Sequence, residues 1–127
     1  MPAKILIVDD SSTTLLMEEM LLRKYTNFDV VQARNGQEAV QTALSEQPDL
    51  ILMDVIMPKM DGFAACREMR RQEKLRETPI ILVTSRGEPQ NVEMGFESGC
   101  NDYLTKPIES SDLLQLVNGY ISAGKAN

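Results

Sequence analysis

Apolar residues gather in five short runs, and between them apolar positions recur every three to four residues. The runs Lys4–Val8, Asp29–Ala33, Leu50–Met53, Pro79–Val83 and Asp102–Leu104 read as strands, and the segments between them as helices. Helix one covers Ser12–Tyr25. Its stripe of Leu16, Met17, Met20 and Leu21 predicts the buried face, with Ser11 or Ser12 as cap. Helix two follows the turn Arg34-Asn35-Gly36, carries Ala39, Val40, Ala43 and Leu44 on one stripe, and ends at Gln47-Pro48. Helix three follows Asp61-Gly62 and turns Phe63, Cys66 and Met69 to one side. Helix four follows the breaker Arg86-Gly87-Glu88-Pro89, with Val92, Gly95 and Phe96 together. Helix five starts near Ser111, with Leu113, Leu116, Val117, Tyr120 and Ile121 inward. Strict alternation with short connections predicts one parallel sheet with helices on both faces, an α/β fold. Near-continuous apolar strands fit burial on both sides. A chain of 127 residues without repeats or low-complexity stretches is expected to form a single domain, 1–127.

Four of the five runs end in a reactive polar residue. Ile5-Leu6-Ile7-Val8 meets Asp9-Asp10, Leu50-Ile51-Leu52-Met53 meets Asp54, Ile80-Ile81-Leu82-Val83 meets Thr84, and Tyr103-Leu104-Thr105 meets Lys106-Pro107. The carboxyl ends of parallel strands share one edge, where ligands of open α/β sheets bind. Three acids, a hydroxyl and an amine are therefore expected to converge. Carboxylates brought together unpaired repel one another. Without His or Cys among them they select a hard cation, and Mg²⁺ suits a site of one or two carboxylates that keeps waters and meets phosphate. Lys106 suits a phosphate oxygen or a carboxylate, and Thr84 supplies a donor. The set fits phosphoryl transfer, which is largely positioning and charge neutralisation. No Gly-rich loop follows strand one, so a nucleotide has no cradle. The chain itself is then the acceptor, through an acyl phosphate on a carboxylate. Asp54, opening a loop on a middle strand, is the central candidate.

Composition narrows the field. A net charge of −6 argues against binding a nucleic-acid backbone. The absence of histidine removes Ser-His-Asp and Cys-His catalysis, His-ligated zinc and a phosphohistidine role for this chain. Cys66 and Cys100 read as unpaired thiols in a reducing compartment. No apolar run approaches the ~20 residues of a membrane span. The N-terminus leads straight into a strand, so a cytoplasmic location without a signal peptide is expected. The charge-rich segment Arg67–Glu77 reads as a solvated helix end and loop, and most of the eight methionines as core fillers.

In order and at this spacing, Ile5–Ser11, Leu50–Gly62, Pro79–Ser85 and Tyr103–Pro107 resemble the receiver domain of two-component response regulators, of the single-domain chemotaxis type. The resemblance implies a flavodoxin-like (βα)5 doubly wound sheet of order 2-1-3-4-5. It makes Asp54 the phosphoacceptor. Asp10 and Asp54 then ligate Mg²⁺ directly, Asp9 through water, and the backbone carbonyl of Ile56 adds a ligand. Lys106 pairs with a phosphoryl oxygen, Thr84 moves to hydrogen-bond the phosphoryl group, and Tyr103 turns inward. Pro107 is where a cis peptide is usual. The implied donor is a sensor histidine kinase or phosphotransfer protein. The implied output is a protein partner on the helix-four, strand-five, helix-five face, with no direct nucleic-acid or membrane contact, from a monomer or a phosphorylation-dependent dimer. Beyond taking up and losing its own phosphoryl group, the chain is not expected to be an enzyme. Two positions depart from many relatives: Ile56 is apolar and Arg86 large and charged, both expected near the phosphoryl group, whereas Ser85 is small.

Three other functions compete. A Mg²⁺-dependent phosphatase with an aspartate nucleophile, resembling haloacid dehalogenases, wants Asp-x-Asp after strand one and a cap domain; here the acids are adjacent. A flavin carrier of the same fold wants a hydroxyl- and Gly-rich loop there, which Asp9-Asp10 makes unfavourable for a flavin phosphate. A phosphate sink would share the chemistry and pass no signal.

Overall fold

The computed structural model describes residues 2–84 and 89–125. Five strands alternate with five helices: β1 (Lys4–Val8), α1 (Ser12–Tyr25), β2 (Asp29–Ala33), α2 (Gly36–Glu46), β3 (Leu50–Asp54), α3 (Gly62–Arg71), β4 (Ile80–Thr84), α4 (Pro89–Ser98), β5 (Asp102–Thr105) and α5 (Ser110–Lys125), with a short 3₁₀ turn at Glu73–Leu75. All neighbouring strands are parallel, in the order β2-β1-β3-β4-β5. This is the flavodoxin-like arrangement that the resemblance implied. Breakers Arg86, Gly87 and Glu88 lie outside the described residues.

Each central strand sends alternate side chains to opposite layers. Ile5, Ile7, Leu50, Leu52, Ile81 and Val83 pack with Leu15, Leu22, Leu113, Val117 and Ile121 of α1 and α5. Leu6, Val8, Ile51, Met53, Ile80 and Leu82 pack with Ala39, Val40 and Ala43 of α2 and Phe63, Cys66 and Met69 of α3. Both layers are apolar, hence the unbroken apolar strands. Side-chain caps start α1, α2 and α3: Ser11, Asn35 and Asp61 accept from the amides of Thr14, Glu38 and Ala64.

Three expected faces are corrected. In α1 the buried residues are Leu15, Glu18 and Leu22, while Leu16, Met17 and Met20 are exposed and Leu21 is half-buried. The helix is apolar nearly all round, so two registers compete, and the positions 15, 18 and 22 share the narrower arc that meets the sheet. In α4, Gly95 is buried and Val92 half-buried, but Phe96 is 48% exposed, because it stands about 100° around the helix from Gly95. Within Arg67–Glu77, Leu75 is fully buried and Arg70 is no solvated end. Its guanidinium donates to the carbonyls of Gly99, Leu75 and Thr78 and to Asn101 Oδ1, at 2.8–2.9 Å. Met53 and Met69 fill the core as expected, whereas Met17, Met20 and Met94 do not.

Candidate functional site

β1 and β3 are neighbours although β2 intervenes in sequence, so the chain reverses its winding between them. A cleft opens at such a switch point beyond the strands' carboxyl ends. The residues leaving those ends are Asp9, Asp10 and Asp54, and each offers a carboxylate oxygen within 4.8 Å of the others. Asp9 and Asp54 are buried and Asp10 is exposed. Lys106, leaving β5 two strands away, reaches across: its ammonium lies 3.3 Å from Asp9 Oδ2 and 3.3 Å from Asp54 Oδ2. Asp9, Asp10, Asp54 and Lys106 therefore converge as expected.

Backbone amides hold the other carboxylate oxygens. Ser11 N donates to Asp9 Oδ1 at 2.9 Å, and Val55 N donates to Asp54 Oδ1 at 3.0 Å. Arg34 fixes the segment after β1 by donating to the Asp10 carbonyl and to Ser12 Oγ. The loop after Asp54 folds back tightly, with Gly62 N donating to Val55 O at 2.8 Å. A Cβ at Gly62 would come within 2.5 Å of the Asp54 carbonyl, so only glycine lets α3 start this close.

Electrostatics keep the cluster on edge. Burial raises the Asp54 carboxyl above its ordinary range, repulsion from Asp9 adds to this, and Lys106 opposes it. Burial pulls Lys106 down, and its pairing with Asp54 and Asp9 more than offsets that. A donor set of three carboxylates against a single ammonium fits a hard divalent cation such as Mg²⁺.

The remaining candidates lie on the same strands or just beyond their ends. Thr84 is buried at the end of β4, and its carbonyl accepts from Lys106 N at 2.8 Å. Ile56, two residues beyond Asp54, is 68% exposed. Tyr103 sits half-buried on β5, edge-to-face against Phe96 with ring centroids 6.0 Å apart. The Lys106–Pro107 peptide is cis. Ser85 and Arg86 lie outside the described residues.

One residue beside the site was not anticipated. Glu18 of α1 is 4% exposed, and its Oε1 has no hydrogen-bond partner. Burial and the nearby charges of Asp9 and Asp54 push its carboxyl up to about 8, against the pull of Lys106. It is therefore mostly protonated at neutral pH and adds little charge to the acid cluster. The only signal in the sequence was an acid three residues from Leu15 and four from Leu22.

Comparison with known proteins agrees with this geometry. The family described as response regulator receiver domain matches residues 5–118. Protein PilH of Pseudomonas aeruginosa is 37% identical over 120 residues, which cover 94% of this chain and 98% of PilH. The chain spans only about half the length of other curated relatives, transcriptional regulators among them, at 35–37% identity. A solved response regulator from Chloroflexus aurantiacus superposes with a TM-score of 0.91 at 35% identity, covering 96% of this chain and 99% of that one. The solved receiver domain of a sensor histidine kinase from Pseudomonas aeruginosa, with a magnesium ion coordinated in its active site cleft, gives 0.88 at 34% identity, covering 96% and 99%. With an acidic cleft at the switch point and a family match over nearly its whole length, the chain belongs to the response regulator receiver domains of two-component signalling.

Proposed function

We propose that this chain is a phosphorylation-activated switch of the single-domain, chemotaxis type, with Asp54 as its phosphoacceptor. The observation that carries this is the Lys106 ammonium, 3.3 Å from both buried carboxylates of a three-acid cleft. One Asp54 oxygen bonds to the phosphorus of a phosphohistidine on a histidine kinase or phosphotransfer protein, while the donor's phosphorus–nitrogen bond breaks. Asp10, Asp54 and the Ile56 carbonyl would hold Mg²⁺ directly and Asp9 through water; when bound, the ion neutralises charge on the transferred group. Lys106 exchanges a carboxylate for a phosphoryl oxygen. Thr84 donates its hydroxyl to the same group.

The new group brings about two negative charges and strong acceptors beside Lys106 and Thr84. Thr84 answers by moving towards Asp54, and Tyr103 fills the space that it leaves. The α4, β5 and α5 face thus acquires two states, and a partner reads one of them. Comparing backbone amide shifts with and without the phosphoryl mimic beryllofluoride tests this. Shifts running from the acid cleft through 92–105 are expected. Shifts confined to the cleft would make the chain a phosphate sink.

A further inference from the structure

The face made by α4, β5 and α5 is one-sided in charge. From position 89 to 122 the sequence carries Glu93, Glu97, Asp102, Glu109 and Asp112 against Lys106 alone, and Lys125 follows near the far end of α5. Lys106 does not offset these acids, since its ammonium is held between Asp9 and Asp54. Among the described residues none of the five acids forms an ion pair. Asp102 is instead fixed by the Tyr120 hydroxyl at 3.3 Å and the Tyr103 amide at 3.0 Å.

This charge borders a shaped surface. β5 is the edge strand, and beside it runs a groove of about 820 Å³ lined by Asp102, Tyr103, Glu109, Asp112, Gln115 and Leu116 among others. Behind Tyr103 stands Phe96, in edge-to-face contact and half exposed. The groove therefore offers apolar contact at Leu116 and Tyr103, backed by Phe96, beside the acids Asp102, Glu109 and Asp112.

We propose that this groove takes a basic, apolar-anchored segment of a different protein, and not a second copy of this chain. The inference rests on the switch reading and names the partner's chemistry. Two copies joined through this face would set acids against acids with no described cation to answer them. Such like-charge juxtaposition selects against self-pairing, whereas Lys or Arg side chains around one apolar residue complement the rim. Tyr103 connects the two ideas, since the residue expected to move on phosphorylation forms a wall of the groove.

The test uses the full chain loaded with Mg²⁺ and beryllofluoride, two fluorescently labelled peptides, KLKFKL and ELEFEL, and sedimentation equilibrium. The basic peptide is expected to bind and to weaken as salt is raised, and the acidic one not to bind. Glu109→Gln and Asp112→Asn should each weaken the basic peptide about threefold, a typical worth for an exposed charge pair. Glu38→Gln on α2 should leave binding unchanged. The loaded chain should remain monomeric. Equal binding of both peptides, insensitivity to the two rim substitutions, or a dimer that tightens in the Glu109→Gln, Asp112→Asn double variant would each overturn the proposal. Amide shifts separate this from the switch reading. If 92–105 responds to beryllofluoride but the basic peptide does not bind, the partner chemistry is wrong. If the peptide binds the unloaded chain equally well and 92–105 stays still, the groove stands and the switch fails.

Discussion

Glu18 makes this fold sensitive to pH in an unusual direction. An unfolded glutamate titrates near 4.5, whereas burial and the Asp9 and Asp54 charges push the folded group up to about 8. Between those values the folded chain holds a proton that the unfolded chain has released. Its contribution to stability is therefore complete below about pH 4.5 and is lost as pH rises through about 8. The slope is roughly 1.4 kcal/mol per pH unit, which amounts to about 3 kcal/mol by pH 7 and about 5 kcal/mol across the whole window. Glu18→Leu removes the titration and the unpartnered Oε1, and it continues the apolar face of Leu15 and Leu22. Urea unfolding of both proteins without divalent cations, at steps from pH 5 to 8.5, gives the comparison. Asp54, also raised by burial, leaves some slope of the same sign in both proteins, so their difference isolates Glu18. The variant should match or exceed wild type at pH 5 and gain steadily above it. Glu18→Gln should show the same loss of slope with a smaller gain, since its amide remains buried. Parallel stability curves for wild type and Glu18→Leu would show that Glu18 binds no extra proton on folding.

Two further substitutions probe other parts of the account. Arg70→Ala strips four hydrogen bonds that tie α3 to the segments before β4 and β5, leaving the carbonyls of Leu75, Thr78 and Gly99 without that donor; a loss of about 3 kcal/mol in urea unfolding is expected, with unchanged amide shifts around Asp54. Ile56→Asn places a polar group two residues beyond Asp54, the proposed phosphoacceptor, where it can orient a hydrolytic water, so the phosphorylated variant should lose its phosphoryl group severalfold faster, as followed by loss of the labelled species; an equal or slower rate would remove Ile56 from control of lifetime.

The strands and their polar ends were legible because one physical demand writes both. A strand buried on two faces must be apolar throughout, so the first polar residue marks where it leaves the core. That reasoning placed Asp9, Asp54, Thr84 and Lys106 on one edge, and parallel pairing did the rest. Helix faces were harder. In α1 apolar residues surround the axis, and choosing the buried side depends on how the helix lies on β1 and β2. Glu18 was invisible for the same reason, since a charged residue there reads as solvent-facing until packing puts it between Leu15 and Leu22. Arg70 misled in the opposite way: a cation among charged neighbours became a hub because the carbonyls of Leu75, Thr78 and Gly99 all point at it. Phe96 looked like core and became the exposed half of an aromatic pair with half-buried Tyr103, a contact between α4 and β5 that no periodicity within one element predicts.

Asp54 is proposed to take the phosphoryl group with help from a divalent cation. Incubating the chain with acetyl phosphate and Mg²⁺, trapping the acyl phosphate chemically and mapping the modified peptide tests it most directly. Modification at Asp54 alone is predicted, abolished by removing the divalent cation and absent from Asp54→Asn. Modification at another residue, persistence in Asp54→Asn, or labelling that proceeds without a divalent cation would contradict the account.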